Sequence, residues 1–579
     1  MRQRKPEFTA EVFAPANVSQ TISPDQRSRL GDVLLSEQAL SPEQLAAALN
    51  LQLDSGRQLG AILVEQGLLD PRALTRALGT QLGLPTVDLR RETPSPEALA
   101  KVPETTAREF GIVPIRLADG VLDVAVADSV TPALSEALAR LPVESVNIYL
   151  APHGDVQTAL HTHYRVISDS DDHLRQIWET STPIAEEVVA SDGDAPMIQL
   201  VNKIITQALR DRASDVHVEP TEGRVRIRYR VDGALREVLS LPVSAGPELV
   251  SRLKIMAEMD IVERRRPQDG QFKTTVDGVP IDVRVATAAT IWGETAVLRI
   301  LDKTRSMKQL GELGMPDAGL ARYREIVHRP YGMVICSGPT GSGKTTTLYA
   351  TLAEISRSEL NVMTIEDPVE YVFPVVNQMQ INVQADVTFA SGLRSILRQD
   401  PDVILVGEVR DEETARIAVQ SALTGHMVMS SLHATDAASA LHRLLDMGIE
   451  PFLVASSLVG VVGQRLVRKI CSFCSAPYLP NPQEMSWYAQ HHGPAKTTFT
   501  RGAGCNFCAG TGFRERVGVY EVLSVTDEIR ELMINRASAH EVRTMAIAQG
   551  MHTMGQEAVD LVANDVTTVD EVIRSVYVA

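Results

Sequence analysis

The run Gly338-Pro339-Thr340-Gly341-Ser342-Gly343-Lys344-Thr345 follows the pattern G-x-x-x-x-G-K-[ST]. Its glycines let backbone N–H groups curl around phosphate, and the helix that starts there adds the positive end of its dipole. In such a loop Lys344 reaches the β- and γ-phosphates of a nucleotide, and Thr345, with Thr346 beside it, faces Mg²⁺. The flanks agree: GMVICS is an apolar strand and TTTLYATLAEI a helix. Hydrolysis needs two further acids, one near the metal and one to orient water. The strand DVILVGEVRD, Asp402 to Asp411, ends at Glu408, where the metal's acid belongs. A second strand, NVMTIEDPVEY, ends in Glu366, Asp367 and Glu370. One acid after a strand often only caps a helix. Two such strands behind a phosphate loop point to chemistry at the sheet's C-terminal edge. His426 and His433 flank the apolar run MVMSSL; either could sense the γ-phosphate or a neighbouring subunit, or be structural.

Four of the five cysteines form C-x2-C-x30-C-x2-C: Cys471, Cys474, Cys505 and Cys508. Four thiolates in a tetrahedral set suit Zn²⁺, which would staple an insert at about 466–515. A redox dithiol is the rival reading, though it predicts one pair beside a thioredoxin-like unit. Cys336, in the strand entering the phosphate loop, reads as core.

These residues need scaffolds. A chain of 579 residues exceeds one core and divides into several domains. Its net charge of −17 argues against a broad electrostatic grip on nucleic acid. The basic start MRQRKPEFTAEVF has no apolar run behind it, so a cytoplasmic chain is expected. The uncharged stretch Pro451–Gln464 is shorter than the ~20 residues of a spanning helix and reads as a buried helix.

After a tail at 1–20, Arg29–Gln52 and Gln58–Gln81 align as tandem helix–turn–helix units, implying a helical domain over 21–90. Residues 91–165 read as a small α/β domain and 166–193 as an acidic linker. Residues 194–305 read as α+β, with GRVRIRYRVDG a strand that is wet on one face. From 306 the strand–loop–helix order implies a parallel sheet, with helices after Asp527. The fold class expected is multidomain α/β.

The motifs TIEDPVEY, LRQDPDVILVGEVRDEETA, TGHMVMSSLHATDA, SDVHVEP, RYRVDG and RRRPQDGQF extend over nearly the whole chain. With the phosphate loop, they resemble the ATPases of type II secretion and type IV pilus assembly. The resemblance implies a cytoplasmic homohexamer with a RecA-like core, acting on an inner-membrane platform protein. Nucleic-acid translocation shares that core, and the acidic balance and the zinc insert argue against it. It implies ATP and Mg²⁺ at Lys344 and Thr345, Glu408 as Walker B acid, and Glu366 as water-orienting base. His426 and His433 match the family's histidine box, and the zinc insert is common among its assembly members. Charge on a transferred phosphoryl group needs fixed cations. Arg228, Arg230, Arg284 and Arg299 are the candidates, Arg230 first, with solvated ion pairs as the alternative. The tandem repeat resembles a cyclic di-GMP-binding domain through Arg29, Leu30, Gly31 and Gln52, then Leu59, Gly60 and Gln81. It departs at Gln38 and Gln58, and a neutral Gln copies only part of what Arg does at guanine. A docking module is the alternative, and a receptor with a slow ATPase switch is the alternative function.

Overall fold

The computed structural model describes residues 30–164, 196–302, 308–356 and 359–576, apart from 38, 56, 128–130 and 277. The expected tail and linker, with Arg29 and Gln38, lie outside the described residues. The described residues form two compact units, those from 30 to 164 with the loop 504–511, and the remainder.

In the first unit each repeat folds as the expected helix pair: α1 (Leu30–Ser36) with α2 (Pro42–Ser55), then α3 (Leu59–Glu65) with α4 (Pro71–Leu82). Local chemistry starts the second helix of each pair. Ser41 and Gln44 exchange side-chain-to-backbone hydrogen bonds, and Asp70 accepts from the Arg72 N–H. Equivalent positions carry equivalent burial, with Leu34 and Leu63 both at 0% exposure. Gly31 and Gly60 are matched too. A Cβ there would press to 3.1 Å from Leu45 and 2.9 Å from Leu74, so both are close-packing glycines. After α4 the chain runs beside β3, donating from Val87 to Leu150 and accepting at Pro85 from Leu150. The α/β segment therefore begins near residue 84, before the expected boundary at 91. Its sheet is β1 (Ile112–Ala118), β2 (Val121–Val126) and β3 (Ser145–Leu150), in that order.

The second unit holds two large sheets. The first is antiparallel, β4 (Asp215–Thr221), β5 (Arg224–Val231), β6 (Ala234–Pro242), β7 (Gln268–Val276), β8 (Val279–Thr290) and β9 (Gly293–Asp302), in the order β6-β5-β4-β9-β8-β7. Strand β5 alternates as expected: Val225, Ile227 and Tyr229 are fully buried while its arginines stay on the wet face. Helices Pro196–Arg210 and Ala245–Met256 accompany this sheet, and the Tyr229 hydroxyl donates to the Ile204 carbonyl at 2.7 Å.

The second sheet has order β12-β11-β13-β14-β10-β15-β18. Its strands are β10 (Gly332–Ser337), β11 (Val362–Glu366), β12 (Asn377–Gln380), β13 (Val403–Val406), β14 (Met427–Leu432), β15 (Leu458–Ile470) and β18 (Phe513–Ser524). All neighbours run parallel except β18 against β15. Strands β10, β11, β13 and β14 are buried at every position, as a parallel sheet covered on both faces requires.

One expectation is corrected here. Pro451–Gln464 is not one buried helix: helix ends at Ser457 and β15 begins at Leu458. The run Val459-Gly460-Val461-Val462-Gly463 explains the switch, since β-branched residues and glycine weaken a helix and the strand fills a buried slot beside β10. The expected C-terminal helices are Asp527–Ile534, Ala539–Ala548, Met554–Ala563 and Val569–Ser575. Hydroxyls of Thr526, Ser538, Thr553 and Thr568 accept from their first-turn N–H groups. No helix among the described residues is long and apolar enough to cross a membrane.

Glu557, in helix Met554–Ala563, is 7% exposed, and burial pushes its carboxyl up to about 8. The folded state thus holds a proton that the unfolded chain gives up at ordinary carboxylate pH. Stability is full in acid and falls by roughly 1.4 kcal/mol per pH unit as pH climbs toward that value. Thermal melts should show Glu557→Gln no more stable than the parent at pH 5 and more stable at pH 9.

Candidate active site

The phosphate loop joins β10 to helix Lys344–Ile355. Gly338 (φ 155°), Gly341 (φ 77°) and Gly343 (φ 89°) take backbone angles that side chains disfavour. At Gly338 a Cβ would also lie 2.6 Å from the Gln464 carbonyl oxygen. The Lys344 ammonium, 9% exposed, donates to the Gly338 and Pro339 carbonyls at 2.8 and 3.0 Å, and burial lowers its pKa. Thr345 and Thr346 are exposed in the helix's first turn, Thr340 and Gly341 are exposed on the loop, and Ser342 is buried.

Gln464 of β15 is the loop's seat. It is 1% exposed, donates from Nε2 to the Ser342 carbonyl at 2.7 Å, and accepts the Cys336 thiol at 3.0 Å. Burial pushes that thiol up to about 12, so it stays a donor. Cys336 is core, as expected, with this added task. Arg465, next along β15, donates to the Thr435 carbonyl of the histidine-box loop at 2.8 Å.

Glu408 follows β13 on the same C-terminal edge. It lies 2.7 Å from Arg410 Nη2 and 3.0 Å from His433 Nε2. Burial would raise its pKa; the Arg410 hydrogen bond and the charges of Arg410, His433 and Lys344 outweigh that and hold it low. Glu366 is different. It is 4% exposed and accepts from the Tyr349 hydroxyl, from Thr364 at 2.7 Å and from Gln378 at 3.1 Å. Tyr349 also accepts the Glu370 N–H at 3.1 Å, which ties the phosphate-loop helix to the acid-ended loop. Burial, then Glu366 itself, raises the Tyr349 pKa and keeps the phenol protonated.

The two histidines part company, which corrects their pairing. His433 follows the end of β14 and meets Glu408; His426 precedes its start and hydrogen-bonds Ser421 O at 2.9 Å. A parallel strand of six residues separates them, so His426 sits at the edge away from the phosphate loop. The arginines separate as well. Arg228 is held by Glu219 at 2.6 Å, whereas Arg230 and Arg299 flank Asp215, and Arg284 lies 3.8 Å from Glu370. Tyr349, Arg410 and Gln464 escaped sequence reasoning. Gln464 carries a signal in retrospect: a lone amide inside the apolar run VVGQRLV.

The four paired cysteines converge, their sulfur atoms all within 4.8 Å of one another. Cys505 and Cys508 sulfurs are 3.7 Å apart, close to the ~3.8 Å that two thiolates 2.3 Å from one tetrahedral zinc would span. The neck of the insert is tied by Cys471 N–H to Gly512 O and Ala503 N–H to Cys474 O, both 2.9 Å. In the insert, β16 (Ser475–Tyr478) pairs with β17 (Phe499–Gly502). At the repeat, Leu30, Gly31, Gln52, Leu59 and Gln81 are half-buried, Gly60 is buried and Gln58 is exposed.

A parallel sheet with a phosphate loop, and with acids at the ends of β11 and β13, defines a P-loop ATPase. Residues 190–574 match the family described as Type II/IV secretion system protein, and residues 82–168 match the MshEN domain. The type IV pilus assembly ATPase PilB of Myxococcus xanthus is 40% identical, with 94% of this chain and 98% of that protein covered. The type II secretion system protein HxcR of Pseudomonas aeruginosa is 45% identical over 70% of this chain and 83% of its own. A solved structure of MshE with cdg is 34% identical over 24% of this chain and all of its own, with a TM-score of 0.23. The chain belongs to the Type II/IV secretion system protein family. The MshEN match starts near the end of α4, so it falls mainly on the α/β segment rather than on the tandem repeat.

Replacing Gln464 by Leu strands the Ser342 carbonyl and the Cys336 thiol. The expected cost is about 1–3 kcal/mol in denaturant titrations. ATP affinity, read by calorimetry, should fall more than the stability loss alone explains, because the loop loses its seat.

Proposed function

We propose that this chain is a homohexameric motor that hydrolyses ATP to drive type IV pilus assembly, working at the cytoplasmic face of an inner membrane through a platform protein. The observation that carries the chemistry is Glu408, held between Arg410 and His433 on the edge that carries the phosphate loop. Lys344 and the loop's N–H groups bind the β- and γ-phosphates. Thr345 and Glu408 are the residues that would hold Mg²⁺, which would neutralise charge building on the phosphates. Glu366 uses three of about four lone-pair directions on its hydrogen bonds, and the one left orients the attacking water. His433 fixes the Glu408 carboxylate; His426 has no part in this site.

Four converging thiolates support structural zinc in the insert over a redox pair. The MshEN match supports cyclic di-GMP as a regulatory ligand of the first unit. For the machine served, identity extending over nearly the full length of a pilus assembly ATPase supports pilus assembly. A second reading, type II secretion, is favoured by the higher identity of the core to HxcR.

Lys344→Ala and Glu408→Gln should each cut steady-state ATP turnover by about 10²-fold or more while circular dichroism stays unchanged. Normal turnover in both refutes the motor. A deletion strain should lose surface pili and keep secretion; the reverse selects the second reading. Elemental analysis should find one zinc per chain, lost in Cys471→Ser. Calorimetry with cyclic di-GMP should give heat; none would leave the first unit as a docking module.

A further inference from the structure

Sheet register gathers an unusual row of charge. Arg230 on β5 lies opposite Asp215 on β4, Asp215 opposite Arg299 on β9, Arg299 opposite Arg284 on β8, and Arg284 opposite Gln271 on β7. Direct cross-strand partners share a face, so these five side chains form one line across five strands. Three are guanidiniums and one is a carboxylate. Two arginines set directly opposite repel. Asp215, only 7% exposed, is the acid placed to relieve them.

How Asp215 holds its neighbours matters more than that it does. Its Oδ1 accepts from Arg299 Nε at 3.2 Å, and its Oδ2 lies 3.6 Å from Arg230 Nε while accepting the Ser214 hydroxyl at 2.8 Å. On the same face Glu219 behaves otherwise. It takes the terminal nitrogens, Arg228 Nη2 at 2.6 Å and Arg226 Nη2 at 3.2 Å. Glu219 thus occupies the part of a guanidinium that grips phosphate bidentately, and Asp215 leaves that part free. Between the two arginines at Asp215, Arg230 also gives Nη1 to the Gly233 carbonyl at 3.1 Å. Among the described residues Arg299 makes no such second bond, and its side chain is 60% exposed. It lines a cavity of about 590 Å³ with Asp215, Arg284, Gln271 and Pro368, the last from the loop that carries Glu366.

We propose that Asp215 is a positioning residue for hydrolysis. It grips Arg299 by Nε, so that the terminal fork of Arg299, rather than that of Arg230 or Arg228, meets the terminal phosphoryl group of the bound triphosphate. This rests on the reading of the arginine row as the cation source for phosphoryl transfer.

The test uses the full chain and five variants: Asp215→Ala, Asp215→Asn, Arg299→Ala, the Asp215→Ala/Arg299→Ala double variant, and Arg226→Ala as a control at the Glu219 pair. Steady-state turnover is measured beside calorimetric affinities for ADP and for a non-hydrolysable triphosphate analogue. Asp215→Ala and Arg299→Ala should each lower kcat by about 10- to 100-fold and weaken the analogue, with ADP affinity within about 2-fold of the parent. The double variant should be no worse than Arg299→Ala alone, since the two act as one unit. Should Asp215→Ala melt early, Asp215→Asn keeps shape and one acceptor and must still show the selective loss. Equal losses for ADP and the analogue, or normal turnover in both Asp215 variants, overturn the proposal. Normal turnover in Arg299→Ala sinks the underlying reading of the row. Impairment in Arg299→Ala alone sinks only the role of Asp215.

Discussion

A phosphate loop must keep its N–H groups free for the ligand, so its shape has to be held from elsewhere. Here that constraint is met by one amide, Gln464, whose side chain bonds the Ser342 carbonyl on one side and the Cys336 thiol on the other. Both glycines that bracket the loop, Gly338 and Gly343, pack directly on that residue. The arrangement works only because β15 lies parallel beside β10, in register from Val334 to Ser337. The same strand reaches the histidine-box loop through Arg465, and its far end enters the cysteine neck at Cys471. One strand thereby braces the phosphate loop, the loop of His433 and the insert.

The charges around that loop follow a common rule. Three buried or half-buried acids are each given local partners, because a buried charge left unpaired costs several kcal/mol. Glu408 is matched by Arg410 and His433, Glu366 by three neutral donors, and Asp215 by two arginines. The choice of partner sets the function open to each acid. Glu408, with charged neighbours, stays ionised and able to meet a metal. Glu366, with Tyr349 donating to it, is oriented by a group on the phosphate-loop helix, so movement of that helix is felt at the acid.

Much of this was legible from the chain alone. Strands β11, β13 and β14 were visible as largely apolar runs, and the tandem helices as two aligned units with capped second helices. Pro451–Gln464 was misread because an uncharged run bounded by polar residues fits a buried helix or a buried strand equally well by periodicity. The valines and glycines after Ser457 were the better guide. His426 and His433 looked like a pair because they bracket one strand. A strand has two ends, and only one of them carries the ligand edge.

By itself, the sequence determined the chemistry on offer: a glycine loop ending in Lys-Thr, two acid-ended strands, four thiols and a set of arginines. Those follow from residue type and local spacing, which short-range sterics and capping translate directly into loops, strands and helix starts. Which arginine keeps its fork free, which histidine meets Glu408, and what seats the loop were decided by tertiary structure. Cross-strand register and strand order bring together residues far apart in the chain, such as Asp215 with Arg299 and Ser342 with Gln464. No local pattern encodes such a pairing, because it depends on which distant strands come to lie side by side.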